Sequence, residues 1–239
     1  MNPGRTISDD GVEQNVTIEA GKATLEGTLG LPKDARAVVL FAHGSGSSRN
    51  SPRNRYVARV LREAGLGTLL FDLLTADEES VDQASGELRF SIPFLAKRLE
   101  DATRWLMRQP EMFGARIGYF GASTGAAAAL AGAAELGDKV GAVVSRGGRP
   151  DLAGDALPRV AAPTLLIVGG EDEPVIEMNR SALAELGSAV KRMVIVPRAT
   201  HLFEEPGTLE EVAQLAADWF KRHLTGAGKN AARTSSSSP

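Results

Sequence analysis

Short runs of apolar residues recur along the chain and predict buried β-strands. Within residues 16–31, partly alternating segments on either side of the Gly21-Lys22 turn predict a β-hairpin. Beyond this hairpin the apolar runs are continuous, as expected of strands that are covered on both faces. Six such strands are predicted, at residues 37–41, 68–71, 117–120, 140–144, 164–168 and 193–196.

Between the strands, apolar residues recur at the i, i+3, i+4 spacing of amphipathic helices. The first helix is predicted to begin at Ser51-Pro52, a capping residue followed by a proline. The last is predicted to begin with a capping box of Thr208 and Glu211. Three further helical patterns lie within residues 95–106, 126–136 and 176–186. Since strand and helix alternate after a hairpin, we predict an α/β fold with an eight-stranded, mostly parallel sheet and helices on both faces.

The pattern occupies residues 16–224 and predicts one α/β domain, which suits a chain of 239 residues. Residues 1–15 are polar without periodicity and are predicted to form a flexible arm. Residues 225–239 are rich in serine, cannot bury apolar area and are predicted to be disordered.

Composition excludes several classes of function. A net charge of −3 gives no basic patch for nucleic acid or a membrane surface. The chain has no cysteine, which excludes a disulfide framework, a thiolate zinc site and a cysteine nucleophile. Because no apolar segment matches a membrane span or a signal peptide, we expect a cytoplasmic protein with no membrane or nucleic-acid partner.

One glycine-flanked serine lies between a predicted strand and a predicted helix. Residues 121–125, Gly-Ala-Ser-Thr-Gly, match the G-x-S-x-G pattern of a nucleophile elbow. Such a turn lifts the serine hydroxyl above the sheet edge, and larger side chains at the two glycine positions would collide. A neutral serine is a weak nucleophile, so Ser123 needs a base. The alternative is a glycine-rich turn with an incidental serine.

Three histidines could supply that base. His201 lies between the last predicted strand and the last helix, at the carboxyl edge of the sheet where ligands bind. His43 is interpreted as a structural residue that hydrogen-bonds its loop, and His223 as a packing residue near a helix C-terminus. We therefore predict that His201 is the general base; an exposed loop histidine is the alternative.

A carboxylate must orient the base. Asp172 follows the predicted strand at 164–168, again at the carboxyl edge, and is our prediction for this role. Glu171 and Glu173 beside it, and Asp151 after the preceding strand, are the alternatives. A solvated acidic turn is the non-catalytic interpretation.

The oxyanion of an acyl-transfer intermediate needs prepositioned hydrogen-bond donors. We predict the backbone N–H groups of Thr124 and Ser45, the latter in a loop that is otherwise an ordinary Gly/Ser turn. The chain has no dinucleotide-binding or phosphate-binding glycine motif and no metal-ligand spacing of His, Asp and Glu. No cofactor and no metal are therefore predicted.

These motifs together resemble the α/β-hydrolase superfamily, in its dienelactone hydrolase-like branch. The resemblance covers almost all of residues 16–224 and rests on His43-Gly44-Ser45-Gly46, residues 121–125, Asp172 and Ala199-Thr200-His201. It implies an α/β-hydrolase fold with a Ser–Asp–His triad and no cofactor. Dienelactone hydrolases proper use a cysteine nucleophile, whereas this chain has a serine, so a broader esterase activity is expected. The short stretch at 145–162 leaves no room for a large cap domain.

Two arginines follow the strand at 140–144 and should face the same edge. Arg146 and Arg149 are interpreted first as ion-pair partners of Asp151, Asp155 or Asp172. The alternative is that their forked guanidinium groups bind a substrate carboxylate or phosphate. A second set is interpreted as a solvated helix face rather than a site entrance: Arg49, Arg53, Arg55 and Arg59.

The sequence thus predicts a serine esterase that cleaves small, soluble esters through an acyl-enzyme intermediate. Anionic esters are the finer expectation, from the arginines near the edge. Two alternatives stay open: an acyltransferase with the same triad, and a non-catalytic α/β-hydrolase scaffold that binds a ligand or partner. The oligomeric state is not predicted.

Overall fold

The computed structural model describes residues 5–8 and 11–226, whose strands form a single sheet. The strands are β1 (Arg5–Ser8), β2 (Gly11–Ala20), β3 (Ala23–Leu31), β4 (Ala37–Ala42), β5 (Gly67–Phe71), β6 (Arg116–Ala122), β7 (Val140–Arg146), β8 (Thr164–Gly169) and β9 (Lys191–Val196). Their order is β1-β2-β3-β5-β4-β6-β7-β8-β9. Pairing is antiparallel from β1 to β5 and parallel from β5 to β9 in that order. The eight predicted strands and the mostly parallel sheet are confirmed.

The ninth strand corrects the predicted flexible arm at residues 1–15. Arg5–Ser8 form β1, and β2 begins at Gly11 rather than at Val16. An edge strand pairs through its backbone, here Arg5 opposite Gln14, and needs no apolar alternation to do so. Residues 1–4 and 9–10, and residues 227–239 of the predicted disordered tail, lie outside the described residues.

Six helices accompany the sheet in the described ranges. They are α1 (Pro52–Glu63), α2 (Ala76–Ser85), α3 (Ile92–Met107), α4 (Thr124–Leu136), α5 (Glu173–Glu185) and α6 (Thr208–Leu224). α1 and α6 pack together over one face of the sheet, and α3 and α4 over the other. A short 3-10 segment at Pro150–Arg159 follows β7 where a cap domain could have been inserted. The fold is therefore a plain α/β-hydrolase core, as predicted.

Two local features differ from the sequence prediction. Helix α2 was not predicted, because its only buried side chain is Asp82 and it has no apolar stripe. The predicted capping box of Thr208 and Glu211 is wrong, since Gly207 occupies the capping position and the Thr208 hydroxyl donates to the Glu205 carbonyl at 2.7 Å. Among the described helices, none combines the length and apolar character that a membrane crossing needs.

Candidate active site

The serine turn has the backbone geometry of a nucleophile elbow. Ser123 joins β6 directly to α4 with φ 51° and ψ −124°, a conformation that side-chain-bearing residues rarely adopt. Close contacts leave no room beside it: a Cβ on Gly121 would lie 2.4 Å from the Ala126 Cα, and one on Gly125 would lie 2.1 Å from the Ala42 carbonyl oxygen. The two glycines of the motif are thus required by packing. Strain of this kind persists only where the surroundings enforce it, and it is common at active sites.

The predicted base and carboxylate are joined by a hydrogen bond. His201 Nδ1 lies 2.7 Å from Asp172 Oδ2. The carboxylate side chain is 14% exposed and the imidazole 38% exposed, so the pair is anchored on one side and open on the other. A Cβ on Gly169 would lie 2.4 Å from the Ala199 carbonyl oxygen, so a glycine at the end of β8 lets the two loops approach. With Nδ1 bound to the carboxylate, Nε2 is the nitrogen left to accept a proton.

The pair lies beside the serine turn. The Ser123 N–H donates to the Arg146 carbonyl at 3.3 Å, on the adjacent strand. The next residue, Gly147, faces the histidine: a Cβ there would lie 3.0 Å from the His201 carbonyl oxygen and 3.7 Å from its Cε1. Among the described residues, no hydrogen bond joins the Ser123 hydroxyl to His201. In ligand-free enzymes such bonds are often long and shorten when substrate binds.

The two predicted oxyanion donors are neighbours, although one of them is engaged. Thr124 is the first residue of α4, where a backbone N–H has no acceptor within the helix. The Ser45 N–H donates to the Thr124 hydroxyl at 3.0 Å. Ser45 can therefore bind an oxyanion only when the substrate oxygen replaces that hydroxyl.

The other two histidines have structural surroundings. His43 Nδ1 lies 2.9 Å from the Gly44 carbonyl, and the Leu73 N–H donates to its Nε2 at 3.0 Å. Burial lowers the pKa of His43, so the neutral ring ties the Ser45 loop to the loop after β5. His223 packs against Trp219 with ring centroids 4.5 Å apart, and burial lowers its pKa too. In the described part of the chain, neither of these histidines forms a hydrogen bond with the Asp172 carboxylate. Their surroundings agree with the interpretation of both as structural residues.

A cavity of about 180 Å³ adjoins Ser45 and Thr124. Its apolar wall comes from Leu73, Leu74 and Leu95, and helix α2 supplies polar residues. Two charged groups at its rim are paired, Asp72 with Arg49 and Asp82 with Arg89, whereas Glu79 also lines it and has no ion pair among the described residues. Ligands entering this cavity meet aliphatic carbon, two ion pairs and the carboxylate of Glu79.

Arg146, the last residue of β7, and Arg149, three residues later, have opposite surroundings. Arg149 forms a forked ion pair with Asp151, with Nε–Oδ1 and Nη2–Oδ2 distances of 2.9 and 2.7 Å. This agrees with the ion-pair interpretation and engages the rival carboxylate, Asp151. Arg146 is 7% exposed, and its Nε and Nη1 have no hydrogen-bond partner among the described residues. For Arg146 the expected ion pair with an aspartate is therefore wrong.

Sequence reasoning also placed Arg53 on a solvated helix face, which is only partly so. Its Nη1 donates to Glu204 at 2.9 Å, but its buried Nε has no hydrogen-bond partner in the part of the chain that the structure describes. The only signal in the sequence was the density of arginines near the start of α1.

Within the described part of the chain, no three His, Asp or Glu side chains are grouped so as to hold a metal ion.

Known proteins resemble this chain over most of its length. A model described as the Dienelactone hydrolase family matches residues 25–225. The crystal structure of dienelactone hydrolase from Anabaena variabilis is 60% identical, with a TM-score of 0.87 and coverage of 89% of this chain and 98% of that chain. Est1E from Butyrivibrio proteoclasticus, 16% identical, shares the fold, with a TM-score of 0.73 and coverage of 88% of this chain and 99% of its own.

A curated relative is longer. The Mycobacterium tuberculosis H37Rv protein, provisionally named a phosphoribosyl transferase, is 56% identical over 216 residues, which are 90% of this chain and 48% of the relative. This chain thus spans about half the length of the curated relatives it matches first.

Proposed function

Because this chain belongs to the dienelactone hydrolase family, we propose that it is a serine hydrolase acting on carboxylic esters. In this proposal Ser123 is the nucleophile, His201 the general base and Asp172 the group that orients it. The observation that carries it is the 2.7 Å hydrogen bond between His201 and Asp172, beside a serine on a strained elbow. Serine, base and orienting carboxylate are the three parts of this type of catalysis.

The reaction begins with attack of the Ser123 hydroxyl oxygen on the ester carbonyl carbon. His201 Nε2 accepts the hydroxyl proton, and Asp172 stabilises the imidazolium that forms. Collapse of the tetrahedral intermediate breaks the bond to the alcohol oxygen, which takes the proton from His201. Water then attacks the acyl-serine carbonyl carbon and gives a proton to His201. As this second intermediate collapses, the bond to Ser123 Oγ breaks and His201 returns the proton to that oxygen, which restores the serine and releases the carboxylic acid.

The intermediate carries negative charge on the former carbonyl oxygen. The Thr124 N–H at the start of α4 is the first donor, and the positive end of the helix dipole supports it. The Ser45 N–H is the second donor once the oxyanion replaces the Thr124 hydroxyl as its acceptor. The displaced Thr124 hydroxyl is then free to hydrogen-bond the substrate. Removing one such donor typically lowers kcat by a factor of about 10² to 10³.

Small acyl groups suit the cavity beside these donors. Its volume of about 180 Å³ is below the roughly 300–1,000 Å³ of pockets for drug-sized ligands. The 3-10 segment at Pro150–Arg159 adds no lid that could cover a long chain. Acetate and butyrate esters therefore fit better than fatty acyl esters.

Phosphoribosyl transfer is not proposed for this chain. That name belongs to a relative in which the shared region is 48% of the length, and the rest of the relative lies outside the match. The serine elbow and the hydrogen-bonded pair of His201 and Asp172 support acyl transfer to water.

A panel of para-nitrophenyl esters from acetate to dodecanoate tests the proposal. We expect saturable hydrolysis of the acetate and butyrate, with kcat/KM falling steeply for the dodecanoate. Product analysis in the presence of added alcohol separates hydrolysis from acyl transfer. Absence of turnover for every ester, from a protein with a cooperative melting transition, would overturn the assignment.

A further inference from the structure

The backbone of Ser123 is held on both sides by residues 146–149, which we call the elbow clamp. The Ser123 N–H donates to the Arg146 carbonyl at 3.3 Å, and the Arg149 N–H donates to the Ser123 carbonyl at 3.1 Å. That carbonyl also accepts from the Ala126 N–H within the first turn of α4. Because a serine with φ 51° keeps this conformation only while its surroundings enforce it, the elbow clamp decides where the Ser123 hydroxyl lies.

The elbow clamp is fixed in turn by the neighbouring strand β8 and by helix α5. The Gly147 N–H donates to the Ile167 carbonyl of β8 at 2.8 Å. The side chain of Asn179, on α5, donates from Nδ2 to the Gly148 carbonyl at 2.9 Å. The Gly148 carbonyl and the Arg149 N–H belong to the same peptide group. A single peptide unit therefore connects the Asn179 amide to the Ser123 carbonyl.

Asn179 is a polar residue at a buried position of its helix. The other buried residues of α5 are apolar: Val175, Ile176 and Ala182. Asn179 is 0% exposed, its Nδ2 also donates to the Val175 carbonyl at 2.8 Å, and its Oδ1 has no hydrogen-bond partner among the described residues. A buried acceptor without a partner opposes folding. What asparagine provides here, and an aliphatic residue cannot, is a donor for the Gly148 carbonyl.

We propose that Asn179 is a positioning residue for the nucleophile, which it orients through the peptide group between Gly148 and Arg149. The proposal rests on the proposed function, in which the Ser123 hydroxyl attacks the ester. A peptide unit is planar, so its carbonyl and its N–H move together. Without the Asn179 donor, the Gly148 carbonyl is released, and the N–H that holds the Ser123 carbonyl shifts with it. Because Asn179 is fully buried, it acts through this orientation and not by contact with the substrate.

The test follows the labelling of the protein by a fluorophosphonate at increasing reagent concentration. The limiting rate constant reports attack by the serine alone, and the half-saturating concentration reports binding of the reagent. In Asn179→Leu and Asn179→Ala we expect the limiting rate constant to fall about 10- to 100-fold, since a displacement of about 1 Å has an effect of this size. The half-saturating concentration should stay unchanged. Leucine keeps the branching of the asparagine side chain and alanine cannot clash, and melting curves show which variants fold.

Thr164→Val is the matched control for a loss of stability. The Thr164 hydroxyl is buried and donates to the Ala162 carbonyl at 2.8 Å, at the start of β8 and so at the opposite end of the sheet from Ser123. Like the Asn179 variants, Thr164→Val leaves a backbone carbonyl without its side-chain donor. It should lower the melting temperature and leave the limiting rate constant unchanged. An equal loss of rate in Thr164→Val, or an unchanged rate in a folded Asn179 variant, would overturn the proposal.

Hydrogen exchange separates this proposal from the proposed function, because it needs no turnover. The amides of Ser123 and Arg149 are hydrogen-bonded across the elbow clamp and exchange when it opens. Relative to amides of the central strand β4, their exchange should become about tenfold faster in the Asn179 variants, as expected for one lost buried hydrogen bond, and not in Thr164→Val. Faster exchange supports the clamp even if no fluorophosphonate labels the wild type, in which case the proposed function alone fails. Unchanged exchange overturns the role of Asn179 and leaves the esterase assignment intact.

Discussion

The proposed catalytic centre and the neighbouring arginines differ in how their polar groups are satisfied. Around Ser123, backbone packing fixes the elbow and a 2.7 Å hydrogen bond aligns His201 on Asp172. A few residues away, Arg146 and Arg53 have buried donors that no described residue accepts. In the first region the imidazole and the carboxylate satisfy each other; in the second, buried guanidinium donors have no acceptor among the described residues.

This contrast separates charges that the fold pairs from charges that it does not pair. Arg146 ends β7 and Arg149 follows three residues later, yet among the described residues only Arg149 has a carboxylate partner. Paired charges are accounted for by the fold alone. Unpaired buried charges are not, because their desolvation is unfavourable without a partner.

The largest effect on activity is expected at the proposed catalytic centre. Ser123→Ala should lower kcat by a factor on the order of 10⁴–10⁶ without changing the melting temperature, since the hydroxyl acts only in the chemistry. Ser145→Ala is the matched control, because Ser145 lies on β7 opposite Gly121 of β6 and its buried hydroxyl has no hydrogen-bond partner within the described ranges. Initial rates on para-nitrophenyl acetate measure both, and comparable losses in the two variants would refute the assignment of Ser123.

Replacing the orienting carboxylate should have the next largest effect. Asp172→Asn leaves the imidazole without its anion and favours the wrong tautomer, so we expect kcat to fall by a factor on the order of 10³–10⁴. Asp151→Asn, which only weakens the pair with Arg149, should change kcat less than about threefold, the change expected for an exposed ion pair. A larger loss in Asp151→Asn would show that the wrong aspartate has been chosen.

Stability should change in opposite directions at the two arginines. Arg146→Met removes an unpaired buried charge and should raise the free energy of unfolding by about 1–4 kcal/mol in the absence of ligand. Arg149→Met removes a partly exposed ion pair, with side chains 35% and 30% exposed, and should lower it by about 0–1 kcal/mol. Urea unfolding measures both. Destabilisation by Arg146→Met as large as by a core deletion would mean that Arg146 is satisfied within the fold.

The smallest effect concerns pH. Burial lowers the pKa values of His43 and His223 from 6.5, so both are held neutral in the folded state while the unfolded chain binds protons more readily. Their contribution to stability is complete above pH 6.5 and is lost as the pH falls below it. The melting temperature should therefore decline from about pH 7 to pH 5, and less so in His43→Gln. An identical decline in that variant would exclude His43 as a source.

Local rules predicted the parts of the molecule that local sequence controls. The strand, the two glycines and the helix around Ser123 are contiguous, so their pattern alone indicates the elbow. Asp172 and His201 follow strands whose parallel pairing brings their carboxyl ends to one edge, which makes their proximity predictable. The choice between Asp172 and Asp151 depended on side-chain geometry, and the hydrogen bond to His201 now favours the former.

Features that depend on tertiary burial were not predictable. Helix α2 has no apolar stripe, since the side chain that it buries is the paired Asp82. Its capping box of Thr75 and Glu78 is a local signal that could have indicated the helix. Arg53 belongs to a run of arginines, and such a run is typical of a solvent-exposed helix face. Whether Arg146 has a partner depends on which carboxylates the packing of α1 and the His201 loop brings near it, and periodicity carries no information about that.

The most direct test of the central claim is mass spectrometry of the intact protein after exposure to a fluorophosphonate. Such a reagent reacts with a serine that an adjacent base has activated, without requiring knowledge of the substrate. We expect the wild type to gain a single adduct that maps to the peptide containing Ser123, and Ser123→Ala to gain none. An adduct on another residue, unchanged labelling of Ser123→Ala, or no labelling of the wild type would contradict the assignment of Ser123 as an activated nucleophile.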